Sequence, residues 1–314
     1  MIRYTQFSGG QGSYRTAKLD RLAHPGCAQR LTFADVLYED ADTYRFLIEA
    51  ACDVLERTVP EWLPRAEDFP DYQVGADVPI EEYRGDPDWR AFLANLRAKA
   101  AIDVPELIWL VEGRDPWEVY RDERFVGNSS ADPCSKILKR QILDKWRKAN
   151  CTPEDTFAVG IDAGEHHRLD GLAARMALQG WHFHSPLLDD DLGYRYPVIA
   201  HGPLEDLGVV PPALYALDYK HGNCGGMCCK AGLAHWANRR RVQPRRFHYD
   251  RMMERKVREY IGNPAATFLR DRRGGITKPL SLDAFDARLR ASPELSYKYE
   301  PGSSGCGCAL DDAI

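Results

Sequence analysis

Two groups of residues in this chain have types and spacing suited to chemistry. The first is Ser8-Gly9-Gly10-Gln11-Gly12-Ser13, directly after the apolar run from Ile2 to Phe7. Such a turn between a strand and a helix offers backbone N–H groups, hydroxyls and a helix N-terminus to a phosphate or sulfate. Its glycines let the main chain approach the anion closely. It is neither a Walker A sequence nor a Gly-x-Gly-x-x-Gly dinucleotide turn. The second group is cysteine: Cys134, then Asn223-Cys224-Gly225-Gly226-Met227-Cys228-Cys229, then Gly305-Cys306-Gly307-Cys308. Thiolates at such spacing suit iron–sulfur clusters or zinc. Gly225 and Gly226 would let the chain fold tightly enough for Cys224 and Cys228 to face one centre, with the Cys229 side chain pointing elsewhere. Cys27, Cys52 and Cys151 read instead as reduced core residues. Together the two groups point to nucleotide chemistry coupled to sulfur or electrons.

The elements that must position these residues alternate. Strand patterns at 2–7, 30–34 and 156–161 and a shorter one at 181–183 are interleaved with helical periodicity at 14–22, 41–57, 89–101, 135–149 and 169–178. Residues 107–111 fit either a strand or a buried helical turn. Residues 60–82 read as loop, with a possible strand around 72–74. The expected fold is therefore α/β, a doubly wound, mostly parallel sheet covered on both faces. Ligands of such sheets bind beyond the carboxyl ends of the strands, where residues 8–13, Asp35 and the segment after Ile161 all fall. The alternating part spans residues 1–200. Residues 201–314 form a helical, cysteine-bearing region with helices expected at 232–240 and 249–261 and a Gly/Ser-rich tail.

With 314 residues and a formal net charge of −5, the chain reads as globular, and its overall charge does not mark an obligate nucleic-acid binder. No apolar run approaches the roughly 20 residues that span a bilayer, and no membrane partner is expected. A strand-like start without a leader segment leads us to expect a cytoplasmic protein, where cysteines serve as ligands or thiols more often than as disulfides.

The turn resembles the PP-loop of the adenine nucleotide alpha hydrolase-like (HUP-like) superfamily. More narrowly, the chain resembles the phosphoadenosine phosphosulfate reductase-like branch of that superfamily. The resemblance rests on the ordered set of Ser8-Gly9-Gly10-x-x-Ser13, Phe33-Ala34-Asp35 with Glu39, Gly127-Asn128 to Lys139 with Cys134-Ser135, Gly160-Ile161 with Glu165 and Arg168, the Asn-Cys-Gly-Gly-x-Cys segment and the cysteine tail. Gly12 stands where the family pattern has aspartate. The resemblance implies ATP with Mg²⁺ at Ser8, Gly9, Gly10, Gln11, Gly12, Ser13, Asp35 and Lys139. It also implies a [4Fe–4S] cluster, or alternatively zinc, on Cys134, Cys224, Cys228 and Cys306, with Cys308 as the attacking or sulfur-carrying thiol. Cys306 and Cys308 are interchangeable in these two roles. Glu165 and Arg168 would share a helix face toward the substrate, where Arg168 can clamp a phosphate, while His166 and His167 read as exposed.

Three activities fit these features. The first is an ATP-dependent sulfurtransferase fed by a sulfur donor such as a cysteine desulfurase. The second is a reductase of adenylyl sulfate or its 3′-phosphorylated form, resolved by a thioredoxin-like reductant. The third is a non-catalytic nucleotide- and zinc-binding accessory protein. The run Arg239, Arg240, Arg241, Arg245 and Arg246 offers a nucleic-acid backbone a basic surface, or forms an ordinary solvated face.

Overall fold

Five strands of the computed structural model, which describes residues 1–71, 78–128, 131–164 and 169–292, form one all-parallel sheet in the order β3-β2-β1-β4-β5. They are β1 (Ile2–Gln6), β2 (Ala28–Asp35), β3 (Leu107–Val111), β4 (Thr156–Ala158) and β5 (His182–His184). The register runs Tyr4 beside Arg30 and Phe157, Phe33 beside Trp109, and Phe157 beside Phe183. Residues 107–111 are thus a strand, hydrogen-bonded along the sheet edge. The order reverses at β1, so the crevice between β1 and β4 is the switch point where such sheets bind ligands.

Strand β1 shows why both faces are covered. Its side chains alternate. Arg3 reaches Asp20 of α1 (Gln11–Ala23) at 2.6 Å, while Tyr4 points the other way onto the rings of Phe157 and Trp146. Trp146 belongs to α5, a continuous helical segment made of Pro133–Ser135, a π-helical stretch Lys136–Gln141 and Ile142–Asn150. Helix α2 (Ala41–Val54) packs beside α1, and α3 (Pro87–Asp103) leads into β3. Asp40 caps α2, its carboxylate accepting from Asp42 N at 3.1 Å.

Helix α4 (Pro116–Asp122) has no counterpart in the apolar periodicity. Its signal is local, Asp115-Pro116-x-Glu118, in which Asp115 accepts from Glu118 N and Glu118 accepts back from Asp115 N. Helix α1 begins at Gln11, three residues earlier than the apolar pattern gives, so Gln11, Gly12 and Ser13 are its first turn. Strand β4 ends at Ala158, short of the expected Ile161, because the Ile161 N–H turns back to Val159 O.

After α6 (Leu169–Leu178) and a series of short turns come α7 (Leu233–Val242), α8 (Pro244–Ile261), the antiparallel pair β6 (Leu269–Asp271) and β7 (Lys278–Leu280), and α9 (Leu282–Ala291). Among the described residues, those beyond 200 share an apolar cluster with the sheet region. Trp236 and Phe268 stack at 5.4 Å, Phe268 meets Trp117 of α4, and Phe7, Phe33, Trp117, Cys224, Trp236, Met253 and Phe285 belong to one continuous apolar cluster. The sheet and the cysteine-bearing region therefore share their interior. No helix among the described residues is long and apolar enough to cross a membrane.

Candidate functional site

The phosphate turn is preformed by its own residues. Gly9 has φ +73°, and a Cβ there would meet Thr43 Cγ2 at 2.8 Å, so only glycine fits. Ser13 Oγ donates to Gly10 O at 2.9 Å and accepts from Ser8 N at 3.1 Å, holding the turn closed on the first turn of α1. Gly10, the residue before α1, supplies no side-chain cap, which leaves the positive end of a 13-residue helix facing the switch point. Tyr215 Oη accepts from Gln11 N at 3.2 Å on the outer side. Across the crevice Gly160 packs on the turn itself: a Cβ there would lie 3.1 Å from the backbone of Gly12 and Ser13. The turn and Gly160 therefore pack closely at the carboxyl ends of β1 and β4.

The cysteine turn is tied to the same end of the sheet. Residues Asn223–Gly226 form one tight turn in which Cys224 (φ 55°), Gly225 (φ 56°) and Gly226 (φ 81°) are all left-handed. A Cβ on Gly225 would strike Tyr38 O at 2.8 Å, so the turn presses onto the loop that leaves β2. Glu39 on that loop accepts from Gly225 N at 3.2 Å with one oxygen and pairs with Lys139 of α5 at 3.3 Å with the other. Buried Arg239 donates to Gly225 O at 2.6 Å, and His235 Nε2 lies 2.7 Å from Gly226 O. Both turns flank Thr43. Thr43, in the first turn of α2, carries Gly9 against its Cγ2, and Gly222 comes within 3.5 Å of its Oγ1, measured from the Cβ position of that glycine. Thr43 Oγ1 is buried and has no hydrogen-bond partner among the described residues.

Cys134, Cys224, Cys228 and Cys229 are all buried. Cys229, expected to point away, is the cysteine that meets Cys134, with Sγ atoms 3.9 Å apart. Gly127 makes the room, since a Cβ there would sit 2.7 Å from Cys229 Sγ. Tyr120 Oη donates to Cys134 Sγ at 3.2 Å. Hydrogen bonding from Cys229, then from Tyr120, pulls the Cys134 thiol below its ordinary range despite burial.

Four buried cysteines suit a soft metal centre, and the Cys134–Cys229 spacing matches adjacent ligands on a tetrahedral ion with bonds of roughly 2.3 Å. The described cysteines do not close a mononuclear site, however. Among the described residues only Asp20, His24 and His184 form a group of three ligands within 4.8 Å of one another, and there Arg3 already occupies Asp20. A cluster, which holds its thiolates on different irons, does not require that spacing.

The other expected site residues fall as follows. Asp35 is buried, its oxygens taken by Leu37 N at 2.7 Å, Tyr44 Oη at 2.7 Å and Trp109 Nε1 at 3.0 Å, so it braces the wall instead of facing a ligand. Burial raises its pKa above the usual carboxylate range, partly offset by these donors. Burial likewise raises Glu39, and Lys139 opposes that rise. Lys139 is spent on Glu39. Glu165, Arg168, Cys306 and Cys308, together with His166, His167 and the strand expected at 72–74, lie outside the described residues.

The arginine run is not one basic face. Arg239 is buried on Asp250 at 2.5 Å, Arg240 pairs with Asp286 at 2.6 Å, and Arg241 pairs with Asp218 at 2.8 Å. Sequence reasoning missed Thr43 and Tyr120, and it quoted Glu39 and Gly127 without the bridging role of the first or the room the second makes for Cys229. Both were legible only as members of the ordered set of residues that carries the resemblance. No protein-family model, curated protein or solved structure matches this chain.

Proposed function

We propose that the protein is an ATP-dependent sulfurtransferase that adenylylates an acceptor oxygen and then replaces it with sulfur. The observation that supports this reading is Thr43, which lies beside both Gly9 of the glycine turn and Gly222 ahead of the cysteine turn at one end of the sheet. The N–H groups at the start of α1 and the hydroxyl of exposed Ser8 would hold the β- and γ-phosphates. The acceptor oxygen then attacks the α-phosphorus, the bond to pyrophosphate breaks, and an adenylyl ester forms. Sulfur subsequently displaces AMP from the acceptor. Cys134, Cys224 and Cys228, completed by a tail cysteine, would hold an iron–sulfur cluster or zinc, which supplies a soft site for the incoming sulfur. Cys229 joins this set through its contact with Cys134. The Glu39–Lys139 pair fixes α5 to the cysteine turn, keeping Cys134 in register with the rest.

Incorporation of labelled pyrophosphate into ATP tests this reading, alongside sulfite release from adenylyl sulfate as the signature of a reductase. Exchange that depends on the turn glycines is expected. Sulfite release without exchange would transfer the protein to the reductase class. Absence of both, with nucleotide still bound, would leave it a non-catalytic nucleotide binder.

A further inference from the structure

Between the start of α2 and the start of α8 lies a cavity of about 670 Å³. Its walls include Ala41, Phe69 and Trp89, and the start of α8 contributes Arg245, Arg246 and Tyr249. Its volume is in the range of small-molecule sites and far larger than one phosphate needs. Among the described residues its charged side chains are Arg245, Arg246 and Asp71, with His248 beside them and Asp40 close behind Arg246. The Arg245 side chain is 87 % exposed, and among the described residues the ion pair it makes is with Asp71 at 3.8 Å. The Arg246 guanidinium lies 5.6 Å from the Trp89 ring centre and 5.7 Å from that of Tyr38. Gln243, ahead of this 18-residue helix, does not cap it, because its amide oxygen accepts from Arg239 and Tyr219 and its nitrogen donates to Asp40. Arginines, aromatic rings and a helix N-terminus in one cavity are the groups that hold a phosphate and a flat base together.

We propose that this cavity binds a phosphorylated nucleoside, either free or as a unit of single-stranded nucleic acid, separately from ATP at the glycine turn. That its occupant is the sulfur acceptor rests on the function proposed above. Its position follows from the backbone: Asp40 N lies 3.1 Å from the Cβ position of Gly225, and Ala41 lines the cavity.

The test is anisotropy of dye-labelled short single-stranded RNA and DNA, each competed by a nucleoside monophosphate and by inorganic phosphate, for the full chain and for Arg245→Glu and His248→Glu. Both variants change exposed side chains, and circular dichroism checks that they fold. Loss of one charged phosphate contact weakens binding by about tenfold or more, and that is the effect expected for Arg245→Glu, with ATP binding unchanged. Competition by the monophosphate identifies a free nucleotide as sufficient, whereas binding of oligomers alone identifies nucleic acid. Unaltered affinity in both variants, or no binding of any probe, overturns the proposal. So does competition by inorganic phosphate as strong as by nucleotide, or loss of ATP binding in Arg245→Glu. Failed pyrophosphate exchange with intact oligomer binding would sink the sulfurtransferase reading and leave this site standing.

Discussion

Gly10 can be tested one atom at a time. A Cβ at this position would meet Tyr215 Oη at 3.1 Å, and a carboxylate would put a negative charge at the positive end of α1. Gly10→Asp should therefore lower ATP affinity by at least about tenfold, from the lost anion site and the added repulsion. Equilibrium dialysis checks it, and an unchanged dissociation constant would remove residues 8–13 from the nucleotide site. At this scale the sequence was legible where a residue's chemistry is fixed by its neighbours in the chain. The Ser8–Ser13 hydroxyl contacts and the left-handed Cys224-Gly225-Gly226 turn both follow from local pattern. Asp35 and Arg239 were not legible. A carboxylate at a strand end and an arginine in a basic run look solvated until Tyr44, Trp109 and Asp250 arrive from elsewhere in the chain. Cys229 was hidden for the same reason, since its partner Cys134 is 95 residues away.

Among the elements, α7 and α8 make the strongest predictions because they hold the cysteine turn with buried charge. Arg239 joins Asp250 of α8 to Gly225 O, and Tyr38 Oη donates to Asp250 at 2.8 Å. Arg239→Ala leaves Asp250 buried without its cation and should destabilise the fold by about 3–5 kcal/mol, measured by urea denaturation. Destabilisation below 1 kcal/mol would contradict a structural role. Glu254 of α8 fastens the β6–β7 pair and α9, accepting from Phe268 N at 3.1 Å and Leu282 N at 2.7 Å. Burial pushes its pKa up to about 7. With the folded value raised, its stabilising effect is complete below the unfolded value near 4.5 and is lost as pH rises through about 7. The stability of the wild type relative to Glu254→Gln should thus fall by roughly 3 kcal/mol between pH 4.5 and 8. A pH-independent difference would show that Glu254 stays ionised throughout. Periodicity located the cores of α2, α3, α7 and α8, but element ends were set by capping. Asp115 starts a helix that apolar spacing alone misses, and Pro244 one that it begins later.

For the whole molecule, the parallel sheet was readable because strands and helices alternate through the first 200 residues and bury near-continuous apolar runs. The shared core was not. Nothing local in Trp117, Trp236 or Phe268 says that they stack into one interior, and so the region after residue 200 looked separable. That union matters for function, because it brings thiols from α5 and from residues 224–229 to the end of the sheet that carries the glycine turn. The central claim is that these thiols hold a soft metal centre beside the nucleotide. Anaerobic purification of the full chain followed by metal and sulfide analysis, for the wild type and for Cys134→Ser, tests this most directly. The account predicts stoichiometric iron with sulfide, or stoichiometric zinc, in the wild type and its loss in the variant with the fold retained. Metal-free wild-type protein whose cysteines all titrate as free thiols once unfolded would contradict it.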